Sequence, residues 1–300
     1  MPAPPLPPPA PKAEFITAIG AALDEARGFA AGKIGNSEKH WMYQPLARER
    51  TKGSLRERAY ALMLGRSSES SAGIFPRDAD FYARFNDFYI EQVQKLDFLG
   101  LFGTWNEPEL AAHYHLKPLP MHYQDQEPDR SIPDDPSRCY LPLFAGKRLL
   151  FVSPFAALMK ERANEEMFEA VWAKTGKRWF HPAEIETLRV PYGWSREVQA
   201  EYGTSIDLFD ALAAEMEAKR FDVALIGAGG LGIPLAAKAK ALGKVALSLG
   251  GHLQVLFGLL GERWRADPEW QRDYITEAWI DPPEEYRSAE AHSGDYGSYW

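Results

Sequence analysis

Residues 221–265 hold the spacing that most directly suggests chemistry: an apolar run at 223–226 (VALI), a glycine turn at 227–232 (GAGGLG), a helical stretch, a second apolar run and a second turn at Gly250-Gly251. Glycine removes the Cβ where backbone must bend tightly or come close to a ligand, and Pro234 falls in the first turn of the helix that follows. A helix N-terminus at that place offers free N–H groups and partial positive charge, the chemistry of a phosphate cradle. Gly227, Gly229, Gly230, Gly232, Gly250 and Gly251 are therefore candidate phosphate contacts, with Gln254 just beyond. Gly227, Gly229 and Gly232 also fit the G-x-G-x-x-G dinucleotide fingerprint, which asks for an acid about 20 residues on, at the end of the second strand, to hold a ribose hydroxyl. That strand ends Leu247-Ser248-Leu249-Gly250-Gly251-His252, without a carboxylate. A nucleotide or nucleotide-sugar diphosphate fits this pattern better than NAD(P) or FAD, and glycines that only permit close helix–sheet packing are the plain alternative.

Other patterns carry less. His113-x-His115, with His122 nearby, invites a metal, but side chains two apart point to opposite sides of a strand and diverge on a helix, and no acids accompany them at ligand spacing. Ser153, before Pro154-Phe155, lacks the G-x-S-x-G context of a nucleophile and reads as a cap or a phosphate contact. Asn106-Glu107 before Pro108 reads as a helix cap. The one cysteine, Cys139, rules out an intrachain disulfide and a Cys-based zinc site, and the composition fits a reducing cytoplasm. A formal charge of −8 argues against a nucleic-acid partner, which needs a basic face. With 45% hydrophobic and 13% aromatic residues the chain can fill a sizeable core, yet no stretch approaches the ~20 apolar residues of a membrane span. Any membrane contact is then peripheral.

The elements that position these residues follow from periodicity. A proline-rich arm at 1–12 is expected to be disordered, with one α/β domain over 13–300. Phe15, Ile19, Leu23 and Ala26 recur at helical spacing; a strand is expected at 29–34, a further helix on Leu55, Ala59, Leu62 and Met63, and another on Phe81, Phe85, Phe88 and Val93. Residues 98–102 read as a strand with a polar exit loop at 103–108, and 124–138 (QDQEPDRSIPDDPSR) as an acidic, proline-broken connector and the best candidate for an internal boundary. Then come a strand at 148–152, a helix at 155–172, a strand at 186–190, a helix at 205–219 capped by Thr204 or Ser205, and the glycine-turn unit. Alternating strands and helices predict a Rossmann-like, mainly parallel sheet covered on both faces. Ligands bind outside the carboxyl ends of such strands, so the loops at 35–38, 103–107, 153–155, 227–232 and 250–254 should gather in one crevice.

These segments together resemble bacterial GT-D-type glycosyltransferases, most closely an uncharacterised branch linked to surface-polysaccharide synthesis. Lys33-Ile34-Gly35-Asn36-Ser37-Glu38 stands where the family shows an Arg-Phe-Gly-Asp-Gly-Glu type of motif; 71–76 (SAGIFP) is similar to the branch's Asn-Ala-Gly-Ile-Phe-Pro loop. Residues 146–155 (GKRLLFVSPF), the stretch 224–264 and the terminal Tyr299-Trp300 match in the same way. The resemblance implies a GT-D-like fold, a nucleotide-sugar donor, a glycan or other hydroxyl acceptor, and an Asp-x-Glu motif tied to the donor and a divalent metal. Gly35, Asn36 and Ser37 become nucleotide candidates on this ground, as does Ser153. Here the first acid is Asn36, which brings no charge, so Mn or Mg dependence is expected to be weak or absent, with Glu38 the one candidate ligand.

Glycosyl transfer builds positive charge at the sugar and negative charge on the departing phosphates, and a site must meet both away from water. Lys33 and Arg263 are the candidate charge-stabilising residues, and Glu38 and His252 have the chemistry to take an acceptor proton in an inverting reaction. A helix-dipole acid at Glu38, a structural hydrogen bond at His252 and an Arg263–Trp264 cation–π pair are the plainer roles. An NAD(P)- or FAD-binding Rossmann protein and a non-catalytic nucleotide-binding partner subunit stand beside the transferase expectation.

Overall fold

The computed structural model describes residues 6–51, 69–104, 106–128 and 138–287. The expected helix on Leu55 to Met63, Trp105 of the loop after residue 102, and the terminal Tyr299-Trp300 lie outside the described residues. Seven short strands form one parallel sheet: β1 (Phe29–Lys33), β2 (Phe98–Leu101), β3 (Leu119–His122), β4 (Arg148–Val152), β5 (Glu184–Leu188), β6 (Val223–Ile226) and β7 (Val245–Ser248). Their order is β3-β2-β1-β7-β6-β4-β5, so strands from either side of the 124–138 connector join the same sheet. The protein is thus an α/β, Rossmann-like fold with helices on both faces.

Burial on both faces explains why the inner strands read as unbroken apolar runs. Ala31, Phe151, Leu225 and Leu247 face one core, shared with Phe15 and Ile19 of α1 (Lys12–Asp24), while Ala30, Leu150, Ala224 and Ala246 face the other. The second core is filled by α2 (Asn36–Thr51), α3 (Ala79–Val93) and, further along, the helices that flank β6. α4 (Glu107–Tyr114) follows β2. The single helix expected over 155–172 is two, α5 (Ala156–Arg162) and α6 (Glu165–Val171), because Asn164 accepts from Met167 N at 3.0 Å and starts a new helix. The strand expected at 186–190 begins two residues earlier. α7 (Arg196–Tyr202) precedes α8 (Ser205–Glu217), whose cap is Thr204, accepting from Asp207 N. α9 (Gly232–Ala241) links β6 to β7, and α10 (His252–Leu256), α11 (Glu262–Arg265) and α12 (Pro268–Asp273) end the described chain.

β3 was absent from the sequence expectation; Pro120 and the half-exposed Leu119 mark an edge strand, the one place a sheet tolerates proline. Ala10, inside the arm, donates to Pro120 O at 2.7 Å and pairs in parallel with Met121, covering that edge. The sheet reverses its direction of travel twice. From β1 the chain moves outward to β2 while β7 fills the other side; from β4 it moves outward to β5 while β6 leads back to β7. Such reversals part the loops at the strands' carboxyl ends and open a crevice. Register aligns those ends, with Gly32 and Ile226 both opposite Ser248, and Val152 opposite Ile226.

Candidate functional site

Two hollows open above those ends. The first, about 1360 Å³ counting the solvent at its mouth, is a charged basin lined by Lys33, Gly35, Asn36, Ser37, Glu38, His40, Phe102, Tyr123, Glu127, Ser248, His252 and Arg263. The second, about 680 Å³ on the same footing, is an apolar hollow lined by Ser153, Pro154, Phe155, residues 190–194, Leu208, Gly227 and Gln254 among others. Ser71, Gly229, Gly250 and Gly251 line both. Loops widely separated in sequence therefore meet, with one exception: of the described residues of the 103–107 loop none lines either hollow, and Phe102, just before it, does.

The centre of the basin is Glu127, 1% exposed. It accepts a hydrogen bond from Lys33 Nζ at 2.8 Å and is 2.9 Å from His252 Nε2, so it joins the end of β1 to the start of α10. Burial alone would raise its carboxyl, but the His252 hydrogen bond and charge, then the Lys33 charge and hydrogen bond, outweigh it and hold the group down at about 2. A partner on Nε2 orients the imidazole and, in its neutral form, puts the lone pair on Nδ1. The His252 ring stands edge-on to Trp264, 6.0 Å between centroids, and Arg263 lies over the same indole at 5.5 Å, the cation–π pair expected from sequence. The segment bearing Glu127 is held from below: Tyr140 Oη donates to Gln126 O at 2.6 Å and buried Lys177 donates to Pro128 O.

Glu38 lies in the first turn of α2, its carboxylate folded back over Gly35, where a Cβ would collide with Glu38 Oε2. It faces inward: burial first, and then the Glu38 charge, raise the Tyr89 phenol well above its ordinary value. A second buried ion pair fixes α2 from the side. Lys39 Nζ lies 3.3 Å from Glu107 Oε1, bonds Thr104 Oγ1 at 3.0 Å and sits 4.6 Å from the Phe102 ring centre. Glu107 in turn accepts from Phe102 N and Thr104 N, both at 2.9 Å. Asn106 occupies the expected N-cap position of α4 but makes no side-chain cap bond, and Glu107 is the anchor of the loop after β2. The loop's Phe102 stacks on Tyr123 at 4.2 Å and 17°.

The glycines divide by what a side chain would meet. At Gly250, with φ +58°, nothing lies within 4 Å, so its Cα looks into open space. A Cβ on Gly227 would meet Gly250 O at 2.8 Å and one on Gly229 would meet Ala72 O at 2.7 Å; these two bring loops together edge to edge. Gly230 packs on Ile74 and Trp41, and Gly232 on Ser248 Oγ at 2.5 Å; neither is among the residues that line a hollow, and both make the close helix–sheet contacts of the packing alternative. Gln254 borders the apolar hollow but is buried, and its amide donates to Leu259 O and Leu260 O, both at 3.3 Å. Ser153 borders the same hollow, its Oγ accepting from Phe155 N at 3.2 Å. His113 packs edge-on to Tyr114 at the end of α4, and His115 is that helix's left-handed C-cap.

No three His, Cys, Asp or Glu side chains come together as a metal-holding group among the described residues. Asn36 and Glu38 offer one charge between them, a poor match for a hard cation that takes six or more oxygens, so no chemical step is assigned to a metal here. The basin residues that sequence reasoning missed include Glu127, His40, Phe102, Tyr123 and Ser248. Glu127 was hidden inside an acidic, proline-broken run that reads as a connector; the period-two apolar spacing of Leu119, Met121 and Tyr123 just before it was the available signal that the run starts at a strand's end.

No family model matches the chain, and no curated protein does. Among solved structures it is similar to one described as "The highly conserved domain of unknown function 1792 has a distinct glycosyltransferase fold", at 14% identity and a TM-score of 0.35, over 89% of this chain and 95% of that one. Among the described residues no helix is long and apolar enough to cross a membrane.

Proposed function

We propose that the protein transfers a sugar from a nucleotide-sugar donor to an acceptor hydroxyl, in the assembly of a bacterial surface glycan. The observation that carries this reading is the basin itself: Lys33, Arg263, His252, Glu127 and Glu38 gathered at the strand ends, beside an open glycine edge at Gly250. In the displacement the acceptor oxygen bonds to the anomeric carbon, the anomeric C–O bond to the diphosphate breaks, and its electron pair leaves with the nucleoside diphosphate. Lys33 and Arg263 meet the charge that develops on that group. Glu127 keeps Lys33 and His252 in place. Glu38 takes the acceptor proton in an inverting reaction, with His252 Nδ1 as the alternative base.

A dinucleotide oxidoreductase is the weaker reading. β7 ends at Ser248 and no acid closes that strand to hold a ribose hydroxyl. The deciding experiment is a melting-temperature screen of UDP-, GDP-, CMP- and dTDP-sugars against NAD(H) and NADP(H). A ligand at 100 times its Kd adds about 2.7 kcal/mol, an easily read shift. At least one sugar nucleotide should stabilise the fold more than any dinucleotide; a shift with NADH and silence from every sugar nucleotide would overturn the proposal. A screen silent throughout would favour a partner subunit that binds neither.

A further inference from the structure

The basin and the hollow share a wall but not a chemistry. Lys33, Glu38, Glu127, His252 and Arg263 stand on one side; on the other, among the described residues, no charged side chain lines the space, and Phe155, Val190, Tyr192, Trp194 and Leu208 do. Tyr192 and Trp194 lie stacked, 4.9 Å between centroids and 22° between planes. The Tyr192 hydroxyl is turned away to donate to Tyr286 O at 2.6 Å, so what this residue brings to the hollow is its ring. The loop carrying them is held against the Ser71 loop glycine to glycine: a Cβ on Gly193 would run into Gly73 O.

We infer that the donor lies across the shared wall in one direction, its base and ribose in the apolar hollow beside Tyr192 and Trp194, its diphosphate over Gly229, Gly250 and Gly251, and its sugar in the charged basin. This rests on the donor reading given above and adds the orientation. A nucleobase is flat and stacks on aromatic side chains whatever its sequence identity. A hexose is studded with hydroxyls that lose their water at a cost unless polar groups replace it. The reverse placement would set sugar hydroxyls against Phe155 and Leu208 and the base among Lys33, Glu38, Glu127, His252 and Arg263. The basin has one aromatic pair of its own, Phe102 and Tyr123, which makes the two directions separable by mutation.

The test measures Kd by titration calorimetry for UDP, GDP, CDP, dTDP and inorganic pyrophosphate on the full chain, comparing wild type with Trp194→Ala, Phe102→Ala and Arg263→Ala. Trp194→Ala should weaken the best-bound nucleoside diphosphate about tenfold, in the range that loss of one base-stacking ring gives, and leave pyrophosphate within about twofold. Arg263→Ala should weaken both, and Phe102→Ala neither by more than about threefold. Should Trp194→Ala melt well below wild type, Trp194→Leu keeps more of the apolar packing without the flat ring and carries the same expectation. Wild-type binding of a nucleoside diphosphate that both Trp194 variants leave unchanged, or a tenfold loss from Phe102→Ala in their place, overturns the orientation alone. A wild-type protein that binds none of the four diphosphates overturns the donor reading and this inference with it.

Discussion

Replacing Glu127 with Gln keeps the shape of the side chain and removes the one negative charge that both Lys33 and His252 face across less than 3 Å. The carboxyl is held at about 2 against an ordinary 4.5, and with each pH unit of that drop being about 1.4 kcal/mol the ionised form contributes on the order of 3 kcal/mol to folding. Breaking a buried ion pair by neutralising one partner typically costs about 3–5 kcal/mol, which agrees in size. A chain of this length loses roughly 2 °C of melting temperature per kcal/mol, so Glu127→Gln should melt about 6 °C lower at pH 7. The pH dependence has a definite sign. A carboxyl depressed in the folded state stabilises fully above its unfolded value near 4.5, and that contribution drains away as pH falls toward 2. Urea unfolding at pH 7, 5, 4 and 3.5 should therefore show the gap between wild type and Glu127→Gln constant down to about pH 5 and narrowing below it. A variant within about 0.5 kcal/mol of wild type at pH 7, or a gap that ignores pH down to 3.5, would refute the electrostatic account of the basin.

Glu38→Gln should lower turnover by about 10²–10⁴-fold while donor affinity changes far less, measured as sugar-nucleotide consumption once protein melting is matched; a variant within about threefold of wild type leaves Glu38 a helix-dipole acid and passes the base role to His252. Gly250→Ala sets a methyl into open crevice at φ +58°, so it should cost about 1–2 kcal/mol of stability and weaken nucleotide binding, and unchanged binding in the folded variant would remove Gly250 from the diphosphate site. Because Asn36 leaves Glu38 as the only acid of its motif, EDTA should change donor binding and turnover little; activity abolished by EDTA and restored by micromolar Mn²⁺ would show that oxygens from elsewhere complete a metal site.

The inner strands were legible in the sequence because strands buried on both faces leave apolar runs, whereas the edge strand β3 was not, and the run at 223–226 and its glycine turn were placed to the residue. So was the convergence of the loops after β1, β4, β6 and β7, which needs only parallel strands and the rule that ligands sit at their carboxyl ends. What the sequence hid were residues whose role depends on a distant partner. Glu107 sits before a proline like a cap, and only the approach of Lys39 from α2 makes it an anchor. Glu127 sits among Asp, Gln and Pro, a composition of solvated linkers, and nothing local says that β1 and α10 both reach it. The glycines misled in a different way. G-x-G-x-x-G spacing is equally satisfied by loops that touch backbone to backbone, and only the neighbours of each absent Cβ separate Gly250, which faces open space, from Gly229, Gly230 and Gly232, which do not.

The order of the chain accounts for the division of the crevice. The basin draws on β1, β2 and β3 and on residues just after β7, whereas the hollow draws on the exits of β4, β5 and β6. Each side is thus built by its own half of the sheet, and the β1/β7 and β4/β6 reversals put the openings next to each other. Among the described residues only Ser71, Gly229, Gly250 and Gly251 belong to both. On the donor orientation proposed above, changes in the 190–194 loop would alter which nucleoside is held without touching Lys33, Glu38 or Glu127, and changes around Phe102 and Tyr123 would alter which sugar fits without touching Trp194. The wall has no such freedom: a side chain at Gly229 would strike Ala72 O and one at Gly250 would enter the crevice, so both halves would feel it at once. That asymmetry follows from the placement of the strands alone, and it makes the glycine wall the part of the site least able to vary.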